Sequence, residues 1–195
     1  MIIEKIQKNK LYLSNGEIMD ITPLIRQKYG LKTNNNIESL YDDISYEASL
    51  EKGIFLLSLK DRTEKEMQMK LNEKYSNHKM VAKAVMKLSE LGYIDDLNYA
   101  ISYINTRKYG VQRIVYNLSQ KGIKKEKIEE AYEIIQQETG KNIEDEKLEK
   151  AIMKNIKKEE HKLIQYLVRQ GFEPRKIFQK IKKYKENREF ENYDE

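Results

Sequence analysis

The sequence predicts a mainly α-helical protein made of tandem three-helix repeats, preceded by a small N-terminal module that contains a β-hairpin. Only eight glycines and two prolines interrupt the 195 residues, which favours long helices. Charged residues make up 35% of the chain, against about 25% in an average globular domain. The same helical apolar pattern recurs three times, at offsets of 47 and then 49 residues.

Residues 1–45 are predicted to form the hairpin module and a linker. Asn15-Gly16 lies between runs of alternating apolar and polar residues, which is the strongest short-range hairpin signal because both residues accept a positive φ. Thr22 as N-cap and Pro23 at the first helical position then predict a short helix. We expect strands near 2–7, 10–14 and 17–20, and a polar linker at 33–39.

Residues 46–93, 94–139 and 140–195 are predicted as the three repeats, the third ending in an acidic tail at 186–195. Thr63 and Glu66 have the spacing of a capping box, Asp95 or Asp96 and Asn142 are N-cap candidates for later helices, and glycines stand where helices should end. We expect helices near 46–59, 63–75, 78–91, 96–108, 110–121, 124–138, 143–157, 159–170 and 174–187.

The three repeats align on their apolar positions. Met67 corresponds to Ile114 and Leu163, and the same offsets relate three further sets, which are Leu71, Leu118 and Leu167, then Val81, Ile128 and Ile177, then Val85, Tyr132 and Ile181. A single unit with about half a dozen core residues would be marginally stable alone. The units must therefore stack on their neighbours, and we expect an elongated, curved array.

Composition argues against several function classes. The chain has no cysteine, so it has neither a disulfide framework nor a thiolate metal site, and His78 and His161 lack a surrounding ligand cluster. Asp95-Asp96 is expected to cap a helix rather than to form a catalytic pair, because adjacent helical residues do not face each other. No apolar run is long enough for a secretory signal or a membrane span. We expect a cytoplasmic, monomeric protein without a catalytic carboxylate pair or a metal site.

Two stretches are depleted of acidic residues. Residues 108–125 contain no carboxylate, and residues 161–185 contain only Glu173, whereas the matching helices of the first repeat, 63–91, mix both charges. Like charges four residues apart repel by a few tenths of a kcal/mol, and no acid on the same helix compensates them. The alternative is an ordinary solvated lysine face. We expect an external polyanion or acidic protein surface to be bound by Arg113, Lys121, Lys124, Lys125, Lys162, Arg169, Arg175, Lys176, Lys180 and Lys183.

One segment resembles a known signature. Residues 109–123, YGVQRIVYNLSQKGI, are similar to the Tyr-Gly-x-x-Arg-Ile-x-x-x-Leu-x-x-Lys-Gly-Ile motif of the RecX family, regulators of the RecA recombinase. LLSLKDRTEKEMQMKL at 56–71 and LSELGYIDDLNYAISYI at 88–104 resemble two other family segments. The resemblance covers residues 46–187, and of the motif positions only Arg113 and Lys121 are candidates for contacts.

The resemblance implies tandem three-helix units, no enzymatic activity and no cofactor. It also implies binding along the groove of the RecA filament on single-stranded DNA, with inhibition of ATP hydrolysis and strand exchange. Two alternatives stay open: a stand-alone DNA-binding helical protein, and a helical-repeat adaptor for another protein. The sequence leaves undecided whether the filament is inhibited or assisted, and which cations face DNA.

Overall fold

The computed structural model describes the backbone of residues 1–191 and the side chains of residues 1–186. The chain forms two compact units, Met1–Asp96 and Leu97–Glu195. The described part is mainly helical and carries one three-stranded antiparallel sheet at its N-terminus. The predicted fold class, tandem three-helix repeats after a small hairpin-containing module, is therefore confirmed.

The first unit begins with the sheet and continues as helices. The strands are β1 (Ile3–Gln7), β2 (Lys10–Leu13) and β3 (Ile18–Asp20), in the order β1-β2-β3. The helices are α1 (Pro23–Lys28), α2 (Tyr41–Leu59), α3 (Glu64–Asn72) and α4 (His78–Glu90). Thr22 caps α1, and Thr63 and Glu66 form the predicted capping box on α3.

The turn at Asn15-Gly16 joins β2 to β3, as predicted, but with a different conformation. Only Gly16 has a positive φ, of 84°, whereas Asn15 does not. The Gly16 amide donates to the Leu13 carbonyl (2.9 Å), and the Leu13 amide donates to the Glu17 carbonyl (2.9 Å). The loop is therefore a three-residue one in which the glycine follows a tight turn, and Asn15 supplies a side-chain acceptor for the Glu17 amide instead.

The predicted linker is attached to the sheet. The Asn34 amide donates to the Ile3 carbonyl (2.8 Å), and the Ile3 amide donates to the Asn35 carbonyl (2.9 Å). The segment is otherwise polar, but Ile37 within it is buried. This apolar contact also fixes the segment, and the polar composition gave no sign of it. Helix α2 consequently starts at Tyr41, five residues before the predicted position.

One continuous apolar cluster fills the first unit. It combines sheet residues such as Leu11 and Met19 with helix residues such as Leu71 and Leu88, all of them fully buried. The hairpin module and the first three-helix set (α2–α4) thus share a core, so the module offers the apolar surface that three short helices alone would lack.

The second unit contains six helices among its described residues. They are α5 (Asp96–Thr106, its first residue assigned to the first unit), α6 (Val111–Gln120), α7 (Lys125–Thr139), α8 (Ile143–Asn155), α9 (Glu160–Arg169) and α10 (Pro174–Glu191). Asn142 caps α8, as predicted. Beyond Glu186, the acidic tail predicted at 186–195 lies outside the residues whose side chains are described.

The repeat-matched apolar positions are core residues in both later sets. One cluster lies among α5–α7 and contains Ile114, Leu118 and Ile128; another lies among α8–α10 and contains Leu163, Leu167 and Ile177. Of these positions Tyr132 is half-buried. The same offsets also align Leu56 with Tyr103 and Ile152, and Leu57 with Ile104 and Met153; in these two sets Ile104 and Ile152 are buried, whereas Met153 is 61% exposed. The three-copy pattern read from the sequence is therefore mostly, but not throughout, a pattern of side-chain burial.

Glycine ends the second helix of each later set. Gly122 follows α6 with φ 89°, and Gly171 follows α9 with φ 88°, a conformation that L side chains rarely adopt. The first set has Tyr75 at this position, and it uses a different contact. The Tyr75 hydroxyl donates to the Asp20 carbonyl (3.2 Å) or to the Ala48 carbonyl (3.1 Å), which joins the sheet module to the helices.

Candidate nucleic-acid interface

The longest stretch without acidic residues covers two helices of the second unit. Residues 97–125 contain six basic side chains and no Asp or Glu, and they comprise nearly all of α5, the whole of α6 and the turn to α7. We call these residues the acid-free segment. It extends the predicted stretch, 108–125, by eleven residues toward the N-terminus. No carboxylate within this segment repels an approaching anion.

A row of two aromatic rings flanked by two cations lies on this segment. Tyr99 and Tyr103 are one turn apart on α5, and their rings are nearly parallel (14°) with centroids 6.4 Å apart. The Lys121 ammonium lies 5.5 Å from the centroid of the Tyr99 ring, and the Arg107 guanidinium lies 5.1 Å from that of Tyr103. The order Lys121, Tyr99, Tyr103, Arg107 defines what we call the tyrosine row.

The tyrosine row is held in place from α6. The Asn117 side-chain amide donates to the Tyr103 hydroxyl (3.1 Å), and both tyrosines are half-buried. The sequence-based site prediction missed Tyr99, Tyr103 and Arg107. The available signal was their spacing of four residues, which places them on one side of a helix.

Arg113, the first basic residue of the signature, has an intramolecular role. Its guanidinium lies over the Tyr109 ring, 4.0 Å from the centroid. One terminal nitrogen donates to the Arg169 carbonyl (3.4 Å) and to the Gln170 side-chain oxygen (3.3 Å) at the end of α9. Arg113 thus connects α6 to the turn between α9 and α10, and it is half-buried there.

Two glycines make this connection possible. A Cβ on Gly110 would lie 2.3 Å from the Gly171 carbonyl oxygen, and a Cβ on Gly171 would lie 2.5 Å from the Arg113 backbone nitrogen. Backbone hydrogen bonds cross the same contact, from the Gly110 amide to the Gln170 carbonyl (2.9 Å) and from the Gln112 amide to the Gly171 carbonyl (3.2 Å). The Gly-x-x-Arg part of the signature therefore joins two three-helix sets.

A buried carboxylate lies beside this contact. Glu144 on α8 accepts from the Val111 amide (3.3 Å), at the start of α6, and forms an ion pair with Lys176 of α10. The hydrogen bond that the Lys176 ammonium donates to Glu144 raises the pKa of Lys176 above its usual value. Burial lowers the pKa of Lys147, one turn further along α8, to about 8, and its ammonium donates to the Ile104 carbonyl.

Further predicted cations are also paired within the unit. Lys180 contacts Asp145 (3.1 Å) and Glu149 (2.6 Å) of α8, and the hydrogen bond that its ammonium donates to Glu149 raises the pKa of Lys180. Lys176 and Lys180 are therefore compensated inside the unit and do not require an external anion. The compensating acids lie on α8, which packs against α10, so the sequence pattern of α10 alone does not reveal them.

Two more predicted cations form weaker surface pairs. Lys162 contacts Glu159 (2.8 Å), and Lys125 contacts Glu129 (3.4 Å), with all four side chains largely exposed. Exposed pairs of this kind stabilise by only about 0–1 kcal/mol, so these lysines remain able to exchange partners.

The remaining predicted cations are exposed. Within the described part of the chain, no ion pair involves the side chains of Lys124, Arg169, Arg175 or Lys183, nor those of Arg107 and Lys108. Three of these six residues, Arg107, Lys108 and Lys124, belong to the acid-free segment. Half of these exposed cations therefore lie in the segment that carries no carboxylate.

Asp96 has a structural role. It is buried, and its carboxylate accepts from the Glu64 amide (3.0 Å) at the start of α3. It therefore caps α3, and not the helix that begins at Asp96. Among residues 1–191, no group of three or more histidine and carboxylate side chains has a metal-binding arrangement. None of the helices in that part combines the length and the apolar character of a membrane span.

Comparison with known proteins points to one family. A model described as "RecX, second three-helix domain" matches residues 95–131, which include the whole acid-free segment. The "Regulatory protein RecX" of Clostridium beijerinckii is 28% identical over 196 residues, covering 93% of this chain and 92% of that protein. That of Caldanaerobacter subterraneus subsp. tengcongensis is 36% identical over 122 residues, covering 60% of this chain and 61% of that protein.

Solved structures have the same fold. A crystal structure of RecX from Lactobacillus salivarius is 27% identical, with a TM-score of 0.58, and the match covers 71% of this chain and 96% of that one. Another regulatory protein RecX, 24% identical, matches in fold over 90% of this chain and 94% of its own, with a TM-score of 0.59. The chain spans about half, 52%, of the Leuconostoc citreum relative. The family model, the relatives and the shared fold agree, and over nearly its whole length the chain is similar to regulatory proteins of the RecX family.

Proposed function

We propose that this protein regulates the RecA recombinase by binding the RecA filament on single-stranded DNA and inhibiting its ATP hydrolysis and strand exchange. It acts by binding, without catalysing a reaction and without a cofactor. One observation carries the proposal: the RecX family model matches residues 95–131, and these residues contain the whole acid-free segment, 97–125. A filament groove containing DNA presents phosphates to which such a surface is electrostatically complementary.

The predicted contact residues divide into two groups under this proposal. Cations held by Glu144, Asp145 and Glu149, together with Arg113, fix how the helices of the second unit pack. The others contact DNA phosphates or acidic protein surface. They are the exposed Lys124, Arg169, Arg175 and Lys183, the half-buried Lys121, and Lys125 and Lys162 recruited from their surface pairs; we add the exposed Arg107 and Lys108 to them.

Inhibition follows if binding favours one filament state. A protein that bridges neighbouring recombinase subunits shifts the filament toward the conformation that it binds best. Substoichiometric to equimolar protein should then lower the DNA-dependent ATP hydrolysis of RecA. Unchanged hydrolysis over that range, with filament formation verified independently, would refute the proposal.

Two other functions predict different binding behaviour. A stand-alone DNA-binding protein would bind naked single strands tightly, and log K would fall with log salt by about 0.7 per neutralised phosphate. A protein adaptor would bind neither naked nor RecA-coated strands. We expect weak binding to naked strands and much tighter binding to coated strands. Fluorescence anisotropy on both substrates at low and physiological salt separates the three functions.

A further inference from the structure

The tyrosine row combines two features that serve different parts of a nucleic acid. The cations Lys121 and Arg107 at its ends suit phosphates, whereas the stacked rings of Tyr99 and Tyr103 suit the flat faces of bases. Proteins that bind single strands combine a positively charged groove with aromatic side chains on which bases stack. An acidic protein surface would use the cations, but it has no need for two parallel rings between them.

The spacing of the rings indicates which form of nucleic acid fits. Successive phosphates of one strand in B-form DNA are about 3.4 Å apart along the axis, whereas the two ring centroids are 6.4 Å apart. Bases that stack on neighbouring rings must therefore be separated from each other. Such separation occurs in an extended single strand and is prevented by pairing and stacking in a duplex.

The surroundings keep the row available to an anion. The acid-free segment has no carboxylate that would repel the phosphates, and Arg107 and its neighbour Lys108 are exposed. For a base to reach either ring face, the Lys121 or Arg107 side chain must move from the ring that it covers to a neighbouring phosphate, which its flexible chain allows. The Asn117 amide fixes the Tyr103 ring.

We propose that the tyrosine row is a stacking platform for the bases of extended single-stranded DNA. The proposal deepens the proposed function and rests on it for the biological source of the strand, which is the DNA of the filament. It assigns Tyr99 and Tyr103 to base contacts and Lys121 and Arg107 to phosphate contacts.

The test compares two strands of equal charge. The full-length protein, without recombinase, is titrated into a labelled thymidine oligonucleotide and into an abasic strand of the same length, and binding is followed by anisotropy. The wild-type protein should bind the base-bearing strand about tenfold or more tighter, since stacking contributes roughly 1–3 kcal/mol per base. Equal affinity for the two strands would overturn the proposal.

Variants connect the base preference to the rings. Changing Tyr99→Leu and Tyr103→Leu together should weaken binding to the base-bearing strand to the level of the abasic strand and leave abasic binding unchanged. The Tyr99→Phe, Tyr103→Phe double variant keeps both rings and should behave like the wild type. Tyr93→Leu, which alters an exposed tyrosine outside the acid-free segment, is the matched control. The assignment would be refuted if the double Leu variant still bound the base-bearing strand more tightly than the abasic strand, or if it lost affinity equally for both strands.

The outcome is separable from that of the proposed function. If the rings prove irrelevant while the protein still lowers RecA ATP hydrolysis, the platform is refuted and the regulatory function stands. If base preference is found and ATP hydrolysis is unaffected, the platform stands and the regulatory proposal fails.

Discussion

Single glycines decide how closely the second and third helical sets approach each other. Gly110 and Gly171 lie back to back, and neither position has room for a Cβ. The two differ in backbone conformation, because Gly171 has a φ of 88° whereas Gly110, with a φ of −71°, lies in a region open to any residue. Steric exclusion alone therefore requires glycine at position 110, whereas steric exclusion and backbone strain together require it at position 171.

Alanine substitutions should separate the two effects. Gly140→Ala introduces strain alone, because its φ is 64° and no atom lies within 4 Å of the new Cβ; we expect a loss of about 1 kcal/mol. Gly110→Ala introduces a clash with backbone atoms alone, and Gly171→Ala introduces both, so both should lose about 2 kcal/mol or more. Urea unfolding measures all three. A Gly171→Ala loss no larger than that of Gly140→Ala would contradict the close contact.

Lys147 makes stability depend on pH. Burial lowers its pKa in the folded protein to about 8, whereas its pKa in the unfolded chain is the ordinary 10.5. Between these values the unfolded state binds more protons, so the unfolding free energy rises with pH. The destabilising effect is fully present below pH 8 and is lost above pH 10.5.

A pair of variants isolates this effect from other titrating groups. Relative to Lys147→Met, the wild-type protein should gain stability as the pH is raised from 8 to 10, and the difference should be constant below pH 7. Lys150→Met removes an exposed lysine of the same helix and should run parallel to the wild type. Urea unfolding at each pH provides the comparison, and parallel curves for Lys147→Met and the wild type would show that the ammonium is not desolvated.

At the scale of helices, two buried carboxylates occupy matching positions. Asp96, the first residue of α5, caps α3 at Glu64; Glu144, the second residue of α8, caps α6 at Val111. The capped residues are 47 apart, which is the repeat offset found in the sequence. Each carboxylate accepts a hydrogen bond from a backbone amide that would otherwise be unsatisfied at a helix start. The repeat therefore includes a polar contact as well as apolar positions.

Removing these caps should destabilise the protein by different amounts. Asp96→Ala should cost about 1 kcal/mol, the usual value for a lost N-cap. Glu144→Ala should cost about 2 kcal/mol, because it also leaves Lys176 without its carboxylate. Glu149→Ala breaks a more exposed pair with Lys180 and should cost less than about 0.5 kcal/mol. Chemical denaturation gives the ranking, and an equal cost for Glu144→Ala and Glu149→Ala would contradict the capping role.

Helices and their cores were predictable because their signals are local. Thr63 and Glu66 are three residues apart, and Met67 and Leu71 are four apart, so the chain itself places them together. Because the apolar pattern repeats, the same positions predicted the helices and cores of the second and third sets. The Ile37 contact that fixes the linker to the sheet, and with it the early start of α2, depends on β1 and was not predictable from local pattern.

The candidate site was predictable only in part, because charge neutralisation is a long-range property. Lys176 and Lys180 are 32 and 31 residues from Glu144 and Glu149, so a pattern confined to α10 counts them as uncompensated. The acid-free segment could be read from composition. The arrangement of two rings between two cations could not, because it depends on how α5 packs against α6. Lys121 reaches Tyr99 only in the folded unit.

At the scale of the whole molecule, negative charge is distributed unevenly among repeats. The first set mixes acids and bases along α3 and α4, whereas α5 after Asp96 and all of α6 carry no carboxylate. A net charge of +5 is modest for a protein of this length. Local arrangement, and not total charge, is therefore what should direct the protein to an anionic partner.

Charge reversal tests this claim most directly, with RecA ATP hydrolysis on single-stranded DNA as the readout. One variant changes Arg107, Lys108 and Lys124 to Glu in the acid-free segment; its control changes Lys32, Lys74 and Lys79 to Glu in the first unit. All six are exposed, and both variants alter the net charge equally. We predict at least a tenfold higher half-inhibitory concentration for the first variant and a wild-type value for the control. Equal inhibition by both variants, or an equal loss in both, would contradict the account.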